Sequence, residues 1–507
     1  MRDWIKIYSL QDVNEVEIEA SDTDLYSIFY EKFSFSLPYV ILRNINSYKN
    51  GSWDGVKRFF NLNEKTLKRG FLKDLIILCK HYDIDINYIS EDLIIEIENS
   101  KEIKKGLINY LKDIYEEINP EFKIRKYQAK AFVNAIENSR RFFVCPTSSG
   151  KTFIMFLILK FYMDCILEPD EKILIILPSV SLMKQTYKEI CGYEKTSTIG
   201  KNVHMIYSGQ EKNSKKQIYL STYQSIYKKS KKYFEKFKVL IVDEAHHAKA
   251  ESILSIMDKC SKAVYRVGMT GSLNDLKVDK KTMVAYFGEI KEIISIKELE
   301  EKGYISKSNI LVVNLKYNNY WKYALKYKGD YQNEVKFIST FNPRNKKIVK
   351  LVSKYKGNKL LLFNRKKQGK KIKEYVEKLG IKCYFIDGTT PIDNREEIRM
   401  QMEKEDNAIL VASWQCIATG FSIKKLYYVV FCSTYKSPIK TLQAIGRGLR
   451  LHKDKKMVRV IDFVDDMRLN KKIRGAKSKN HLYKHSLKRQ KLYFKKEFNY
   501  KIKEIEV

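Results

Sequence analysis

The 507-residue chain has no Cys-x-x-Cys pair. Its eight cysteines stand singly at positions 79, 145, 165, 191, 260, 383, 416 and 432. That pattern excludes a zinc ribbon and a disulfide framework, and the thiols read as small buried hydrophobes in a reducing compartment. No apolar run reaches the ~20 residues of a membrane helix. The N-terminus lacks a signal-peptide core, so the expectation is a soluble, cytoplasmic protein. No repeat at a solenoid period is present. Acid is also scarce: 60 Asp and Glu face 96 Lys and Arg, a formal charge of +36. Excess cation with 35 Tyr and 25 Phe suits a polyanion partner, because cations release counterions and rings stack on bases. A compositional bias toward Lys and Ile would give the same charge. No basic amphipathic helix stands out to favour a membrane surface. A hydrophobic content of 44% marks a globular chain, long enough for about three domains.

What is present centres on Cys145-Pro-Thr-Ser-Ser-Gly-Lys-Thr152, set between the apolar runs Arg141–Val144 and Phe153–Leu159. Strand, tight loop and buried helix follow from that pattern. Gly150, Lys151 and Thr152 end a phosphate-binding loop, G-x-x-x-x-G-K-[ST], whose first Gly is Cys145 here. Small residues (Pro146, Thr147, Ser148, Ser149) let backbone N–H groups turn toward an anion, and the next helix points its positive end at it. Lys151 would hold the outer phosphates of ATP, and the Thr152 hydroxyl would sit on Mg²⁺.

About ninety residues on, Lys238-Val-Leu-Ile-Val-Asp-Glu-Ala-His-His247 delivers two carboxylates at the end of a buried strand. Asp243 can hold Mg²⁺, and Glu244 can take the proton from the attacking water. A zinc site at His246 and His247 is disfavoured, since no Cys or carboxylate follows at ligand spacing. His246 is expected to sense the nucleotide state across a cleft, and His247 to lie on a solvated loop.

The first ~112 residues carry no nucleotide motif. Strands are expected at Trp4–Tyr8, Glu15–Glu19 and Tyr39–Leu42, a helix at Lys73–Lys80, and a linker or surface helix at Asp92–Lys105. Gly51-Ser-Trp-Asp-Gly55 suggests a tight hairpin turn. It would place Trp53, Lys57 and Arg58 on nucleic acid, or pack Trp53 on its own hairpin. Further on, Arg125, Tyr127 and Gln128 open a helix some twenty residues before the loop. A Gln amide there can pair with the adenine edge. Buried strands are expected at Lys172–Leu177, Gln217–Leu220 and from Tyr265, alternating with helices, which implies a parallel sheet with ligands at the carboxyl ends of its strands. Ser179, Gln185 and Thr222 lie in hydroxyl-rich turns at strand ends. Such turns can donate to phosphates, although each is also an ordinary helix cap.

Residues 306 to 345 read as an aromatic, Lys-rich crossing segment, a helix pair near nucleic acid or in the core. A second α/β unit follows, with strands at Lys359–Phe363, Lys382–Ile386, Ala408–Ala412, Tyr427–Phe431 and Met457–Ile461 and no phosphate loop. It carries Gln443-Ala-Ile-Gly-Arg-Gly-Leu-Arg450. Arg447 and Arg450, three apart, share one helix face or turn and could reach a γ-phosphate as arginine fingers. The tail from 471 reads as a short helical cap with a basic face.

These motifs, in this order, resemble a superfamily 2 helicase of the DEAH-spelled kind over Ile124 to about Arg450. The Gly-Ser-Trp-Asp-Gly turn, Met269–Leu273, Phe287–Ile290, Lys328–Glu334 and Arg344-Asn345 bring it closer to the recombination and repair helicases of T-even-like phages. The resemblance implies an α/β fold of two tandem RecA-like domains with a small N-terminal α/β domain and a basic helical tail. The boundaries are 1–112, 113–305, 306–470 and 471–507. It assigns Thr270 and Ser272 to coupling hydrolysis with movement, Asn364, Arg365 and Ser413 to the nucleic-acid strand, and Gly420 to the interdomain cleft. Ser422 stands where many relatives have Asp, and Ala444 where many have Arg, which leaves a ribose contact and one nucleic-acid contact in question. The implied activity is ATP- and Mg²⁺-dependent remodelling of branched DNA: fork regression, Holliday-junction branch migration and R-loop unwinding. Single-stranded DNA is a further substrate, recombination or single-strand-binding proteins are partners, and the state is monomeric, in the host cytoplasm if the origin is a phage. An RNA helicase, a translocase that does not unwind, or a passive nucleic-acid-binding protein with an inactive motor are the alternatives.

Overall fold

The computed structural model describes residues 2–97, 101–247, 251–273, 276–417, 423–433, 435–469 and 475–507. Two compact units divide the chain: Met1–Cys145 with Gly150–Ile293, and Ile294–Val507 with Pro146–Ser149.

The first unit opens on a five-stranded mixed sheet in the order Phe60–Asn61, Thr66–Lys68, Glu15–Ala20, Trp4–Ser9, Asp85–Ile89. Glu15-Val-Glu-Ile-Glu19 alternates strictly, and only Val16 and Ile18 are fully buried, as a sheet covered on one face requires. The helices Thr23–Lys32 and Leu72–His81 supply Phe29 and Leu75 to the same core. The helix expected at Lys73–Lys80 is therefore present. The expected linker or surface helix is two helices, Glu91–Ile97 and Lys101–Asp113.

Two expectations fail here. Tyr39–Leu42 is one helical turn, not a strand. Pro38 caps it with φ −59°, and Tyr39 and Val40 are 69% and 64% exposed, so the apolar run never meets a partner strand. Nor does Gly51–Gly55 close a tight hairpin. The antiparallel partner of Val56–Arg58 is Ser34–Ser36, and the residues between them include two helical turns.

Beyond the N-terminal sheet lies a seven-stranded sheet in the order Val203–Ile206, Ile218–Thr222, Lys172–Leu177, Phe237–Asp243, Tyr265–Thr270, Arg140–Val144, Ile290–Glu292. Every pairing is parallel. Its central strands are buried on both faces and read as continuous Ile, Leu and Val, the signature of a helix-covered parallel sheet. Sequence periodicity missed its two edges. Val203-His-Met-Ile206 is interrupted by a polar residue, and Ile290–Glu292 has three residues.

The second unit holds another seven-stranded parallel sheet, ordered Cys383–Ile386, Ile409–Ser413, Lys359–Phe363, Tyr428–Phe431, Met457–Asp466, Lys307–Lys316, Tyr500–Glu506. The aromatic crossing segment thus begins as a ten-residue strand, and its Tyr317, Phe337 and Phe341 pack on one another. Beyond its helix His481–Lys495, the tail adds an edge strand. Arg489 and Tyr493 of that helix are buried and both bond Asp462, with Arg489 Nη2 at 2.7 Å and the Tyr493 hydroxyl at 2.9 Å. The two units carry the tandem RecA-like parallel-sheet architecture.

Candidate functional site

The strand Arg140–Val144 runs into the loop, and the helix Lys151–Cys165 leaves it. That helix is apolar all round, with nine of its residues buried, so its start is held rigidly at the sheet's carboxyl edge. Within the loop, Ser149 N–H donates to the Pro146 carbonyl at 3.0 Å. Pro146 and Ser149 are buried, and Thr147, Ser148 and Thr152 are half-buried. Ser148 and Gly150 have φ of 69° and 77°. At Gly150 a side chain is excluded twice, since a Cβ would also stand 2.4 Å from Gln128 Nε2.

Gln128 is fixed from its other end. Its Oε1 accepts from Arg125 N–H at 3.0 Å and closes a capping box at the start of the helix Lys126–Glu137. Arg125 Nη1 donates to the Tyr127 hydroxyl at 3.2 Å. Arg125, Tyr127, Gln128 and Gly150 therefore form one cluster.

The strand Phe237–Asp243 brings the acid pair to the same edge. Lys151 Nζ forms an ion pair with Asp243 and lies 3.1 Å from Glu244 Oε1. Glu244 has φ of 48°, a left-handed value that is strained for a non-glycine residue. Its N–H turns back onto Asp243 Oδ1 at 2.7 Å. Burial lowers the Lys151 pKa, but the two carboxylates more than reverse this, and the net shift is upward. Asp243 moves upward, chiefly by burial. Glu244 moves far downward: burial opposes ionisation, and Lys151 and His246 overcome it. The two adjacent acids are thus pushed apart, with Glu244 firmly ionised.

A polar relay continues from Glu244. His246 Nδ1 lies 3.1 Å from Glu244 Oε2 and 2.8 Å from Thr270 Oγ1. The Thr270 hydroxyl reaches the Ser272 carbonyl at 2.9 Å, and its own carbonyl accepts from Cys145 N–H at 2.7 Å. The buried Ser272 hydroxyl has no hydrogen-bond partner among the described residues. Acid pair, histidine, Thr270 and loop are one connected network. Among the described residues, no group of three or more His, Cys, Asp or Glu could hold a metal by itself. The hard oxygens of Thr152 and Asp243 instead suit a Mg²⁺ shared with phosphates. Together with the turned backbone at Ser148 and Gly150, they fit a magnesium nucleotide.

Within the first unit, other expected residues lie outside this network. Ser179 caps the helix Val180–Tyr193, accepting from Leu182 N–H at 3.3 Å. Gln185 donates to Glu189 at 2.7 Å, and Thr222 bonds Ser225 at 2.8 Å. Trp53 Nε1 donates to the Val56 carbonyl at 3.0 Å. Arg58 is paired with Asp54, and Lys57 sits over the Phe59 ring. In the second unit, Gln443 and Arg447 lie one turn apart on the helix Pro438–Gly448, and Arg450 lies beyond its end. All three are half-buried. Asn364 N–H donates to Ser433 Oγ at 3.3 Å, Arg365 Nη2 donates to Gln332 Oε1 at 3.0 Å, and Ser413 donates to Cys416 Sγ at 3.1 Å. Gly420 and Ser422 lie outside the described residues, as does the His247 side chain.

One polar turn escaped the sequence reading. Asp387, at the end of the strand Cys383–Ile386, pairs with Lys366 at 2.6 Å and accepts from Thr389 N–H at 2.9 Å. Burial raises its pKa, but Lys366 and Thr389 prevail and hold it down to about 2. The run Asp387-Gly-Thr-Thr-Pro391 after an apolar strand was the available signal.

The Type III restriction enzyme, res subunit, family matches residues 121–275, and the helicase conserved C-terminal domain matches residues 343–452. The ATP-dependent DNA helicase uvsW of Enterobacteria phage T4 is 29% identical over 99% of both chains. The DNA 3'-5' translocase XPB2 of Sulfurisphaera tokodaii is 25% identical over 71% of this chain and 85% of its own. The crystal structure of T4 UvsW superposes over 99% of both chains, with a TM-score of 0.50 and 26% identity. Phosphate loop, acid pair and both parallel-sheet units fall within those matches, and the chain is an ATP-dependent helicase with superfamily 2 helicase domains, similar to UvsW.

Proposed function

We propose that this chain is an ATP-dependent DNA helicase or translocase that remodels branched DNA: forks, Holliday junctions and R-loops. The observation that carries the reading is the end-to-end similarity to UvsW, which extends through the N-terminal sheet and the C-terminal strand as well as the motor motifs. In this reading residues 1–112 grip nucleic acid, 113–305 and 306–470 are the two motor domains, and 471–507 is the basic tail. The enzyme works as a monomer in the host cytoplasm, beside recombination or single-strand-binding proteins.

Bound MgATP supplies the phosphoanhydride whose hydrolysis powers movement. Lys151 exchanges its carboxylate partners for the outer phosphates, and Thr152 and Asp243 hold the Mg²⁺. The Gln128 amide, locked by Arg125, reads the adenine edge. Glu244 stays ionised at neutral pH and accepts the proton of the attacking water. His246 and Thr270 orient that carboxylate and pass its state to the loop through the Thr270 carbonyl. Ser272 takes part in the same coupling. Arg447, with Gln443 on the same helix, and Arg450 beyond its end act on the γ-phosphate as arginine fingers. Gly420 shapes the cleft. Ser179, Gln185, Thr222, Asn364, Arg365 and Ser413 follow the nucleic-acid strand, and Trp53, Lys57 and Arg58 touch the branch.

The test is a panel of ATP turnover and strand displacement on forks, four-way junctions, R-loops, linear duplexes, single-stranded DNA and RNA. Preference for branched DNA, lost in Lys151→Ala, supports the proposal. Equal or stronger stimulation by RNA overturns the DNA assignment, and absence of nucleic-acid-stimulated turnover overturns the motor.

A further inference from the structure

We propose that a cavity of about 440 Å³ in the first unit, whose lining includes none of the phosphate loop's own residues, binds a phosphate group. Arg69, Lys73, Arg140, Arg141 and Lys281 line it, against only two carboxylates, Asp74 and Glu289. Three of the cations are arginines at most 3% exposed. Arginine's planar fork suits phosphate, and buried positive charge is costly unless an anion meets it.

The carboxylates present are already committed. Asp74 accepts from Lys281 at 2.8 Å, and Glu289 accepts from Arg141 Nη1 at 2.5 Å. Arg69 approaches Asp92 at 3.6 Å, and Lys73 donates to Asn138 Oδ1 at 2.8 Å. Arg140 reaches the carbonyls of Tyr286 and Val13. Arg141, 2% exposed, keeps a buried Nε with no hydrogen-bond partner among the described residues. Burial drives its pKa below the usual guanidinium range despite Glu289. An oxyanion in the cavity would compensate that buried charge.

The walls are built rather than incidental. At Gly70 a Cβ would stand 1.9 Å from the Val284 carbonyl, so the Arg69–Phe71 turn lies directly on the helix Lys277–Phe287. Leu72 and Val284 supply apolar wall for the group that carries the phosphate. The floor is the strand Arg140–Val144, which continues into the phosphate loop. A ligand here would stiffen the strand that feeds the nucleotide site. The phosphate can belong to a free phosphorylated molecule or to the end of a nucleic-acid strand.

Hydrogen exchange of the full chain separates these sources, using sodium pyrophosphate, a 5′-phosphorylated oligothymidine and its 5′-hydroxyl counterpart. Slower exchange in 69–77 and 281–290 is expected with a phosphate-bearing probe and not with the 5′-hydroxyl strand. Protection by pyrophosphate identifies a free molecule, and protection by the phosphorylated strand alone identifies a strand end. No protection in these segments, or equal protection by the hydroxyl strand, overturns the proposal. Lys73→Gln with Lys281→Gln should raise the concentration for half-protection about tenfold, as loss of two charged donors implies, while leaving the response of 145–152 in place. An unchanged concentration, in the double variant or in Lys73→Gln alone, equally overturns it.

Discussion

Replacing Lys151 by Met tests the nucleotide site through its electrostatics as well as its chemistry. Side-chain exposures are 18% for Lys151, 4% for Asp243 and 17% for Glu244. Removing one member of a buried ion pair costs about 3–5 kcal/mol, because the partner charge stays buried. Partial exposure reduces this to roughly 2–4 kcal/mol. For a unit of this size that corresponds to a fall in Tm of about 3–7 °C near pH 8. The gap must depend on pH. Glu244 is depressed in the folded chain, so its contribution is present above its unfolded pKa and fades as pH falls through and below ~4.3. Asp243 is already raised by burial, and without the lysine it rises further, so a proton replaces the missing cation as pH drops. The Asp243 effect narrows the gap between wild type and variant by pH 5, and the Glu244 effect narrows it further only below ~4.3. Calorimetric Tm values at pH 8 and pH 5, with ATP turnover at pH 7.5, read this directly. Turnover should vanish, and the Tm gap at pH 5 should be well below that at pH 8. A gap of equal size at both pH values would refute the assigned charge arrangement, and a variant that turns over ATP normally would refute the site.

Glu244→Gln should still bind nucleotide while turnover falls by ~10²–10⁴-fold, as loss of a general base implies; equilibrium binding and single-turnover rates measure the two separately. Gly150→Ala should weaken nucleotide binding and lower the unit's stability by about 1–2 kcal/mol from the left-handed backbone alone, with displacement of Gln128 added; Gln128→Ala in the same chain should recover part of the loss. Lys359 is buried, and burial pushes its pKa to about 8, below its ordinary value, so stability should rise with pH between ~8 and ~10. Lys359→Met should flatten that rise in a Tm series, with Lys455, also pushed down to about 8 by burial, sustaining the remainder. Asp462→Asn should lower the second unit's Tm and speed proteolysis of the C-terminal helix, because Arg489 is left buried without its carboxylate.

Much of the motor was legible because its signals are local. Largely apolar strands of five to seven residues ending at the loop or the acid pair are buried parallel strands, and only helices on both sheet faces accommodate them. Lys151, Asp243, Glu244, His246 and Thr270 were named from spacing and resemblance, and the fold joins them in one network. What escaped depends on distant partners. Tyr39–Leu42 has strand-like composition, but no neighbouring strand edge is available to it. The strand Lys307–Lys316 alternates weakly and is identified by its pairing with Met457–Asp466 and Tyr500–Glu506, each far away in sequence. Asn364 and Ser413 bond residues of their own unit in ways that no periodicity encodes.

Charge was the least legible property, because composition counts cations without saying which face inward. The tail reads as a basic surface, yet Arg489 is 2% exposed and joins Tyr493 on Asp462. Arg344, expected only from resemblance, is fully buried on Asp465, which also accepts from Tyr317 at 2.5 Å. Both arginines are therefore structural ties between a helix and the strand Met457–Asp466, and neither is available to a polyanion. The first unit treats buried arginine differently. Arg266 gives its guanidinium to the carbonyls of Ala263, Met257 and Cys260, so dipoles stand in for a carboxylate. Arg141 pairs with the half-exposed Glu289 and keeps a buried Nε without a partner among the described residues. Desolvation makes no distinction among these four residues; compensation does. Arg344 and Arg266 are complete in the folded chain, while Arg489 keeps a buried Nη1 and Arg141 a buried Nε without a partner among the described residues. Arg489 already holds the buried Asp462 with two donors, whereas Arg141 lines a cavity and meets only the half-exposed Glu289, so its charge is the one an added anion would compensate.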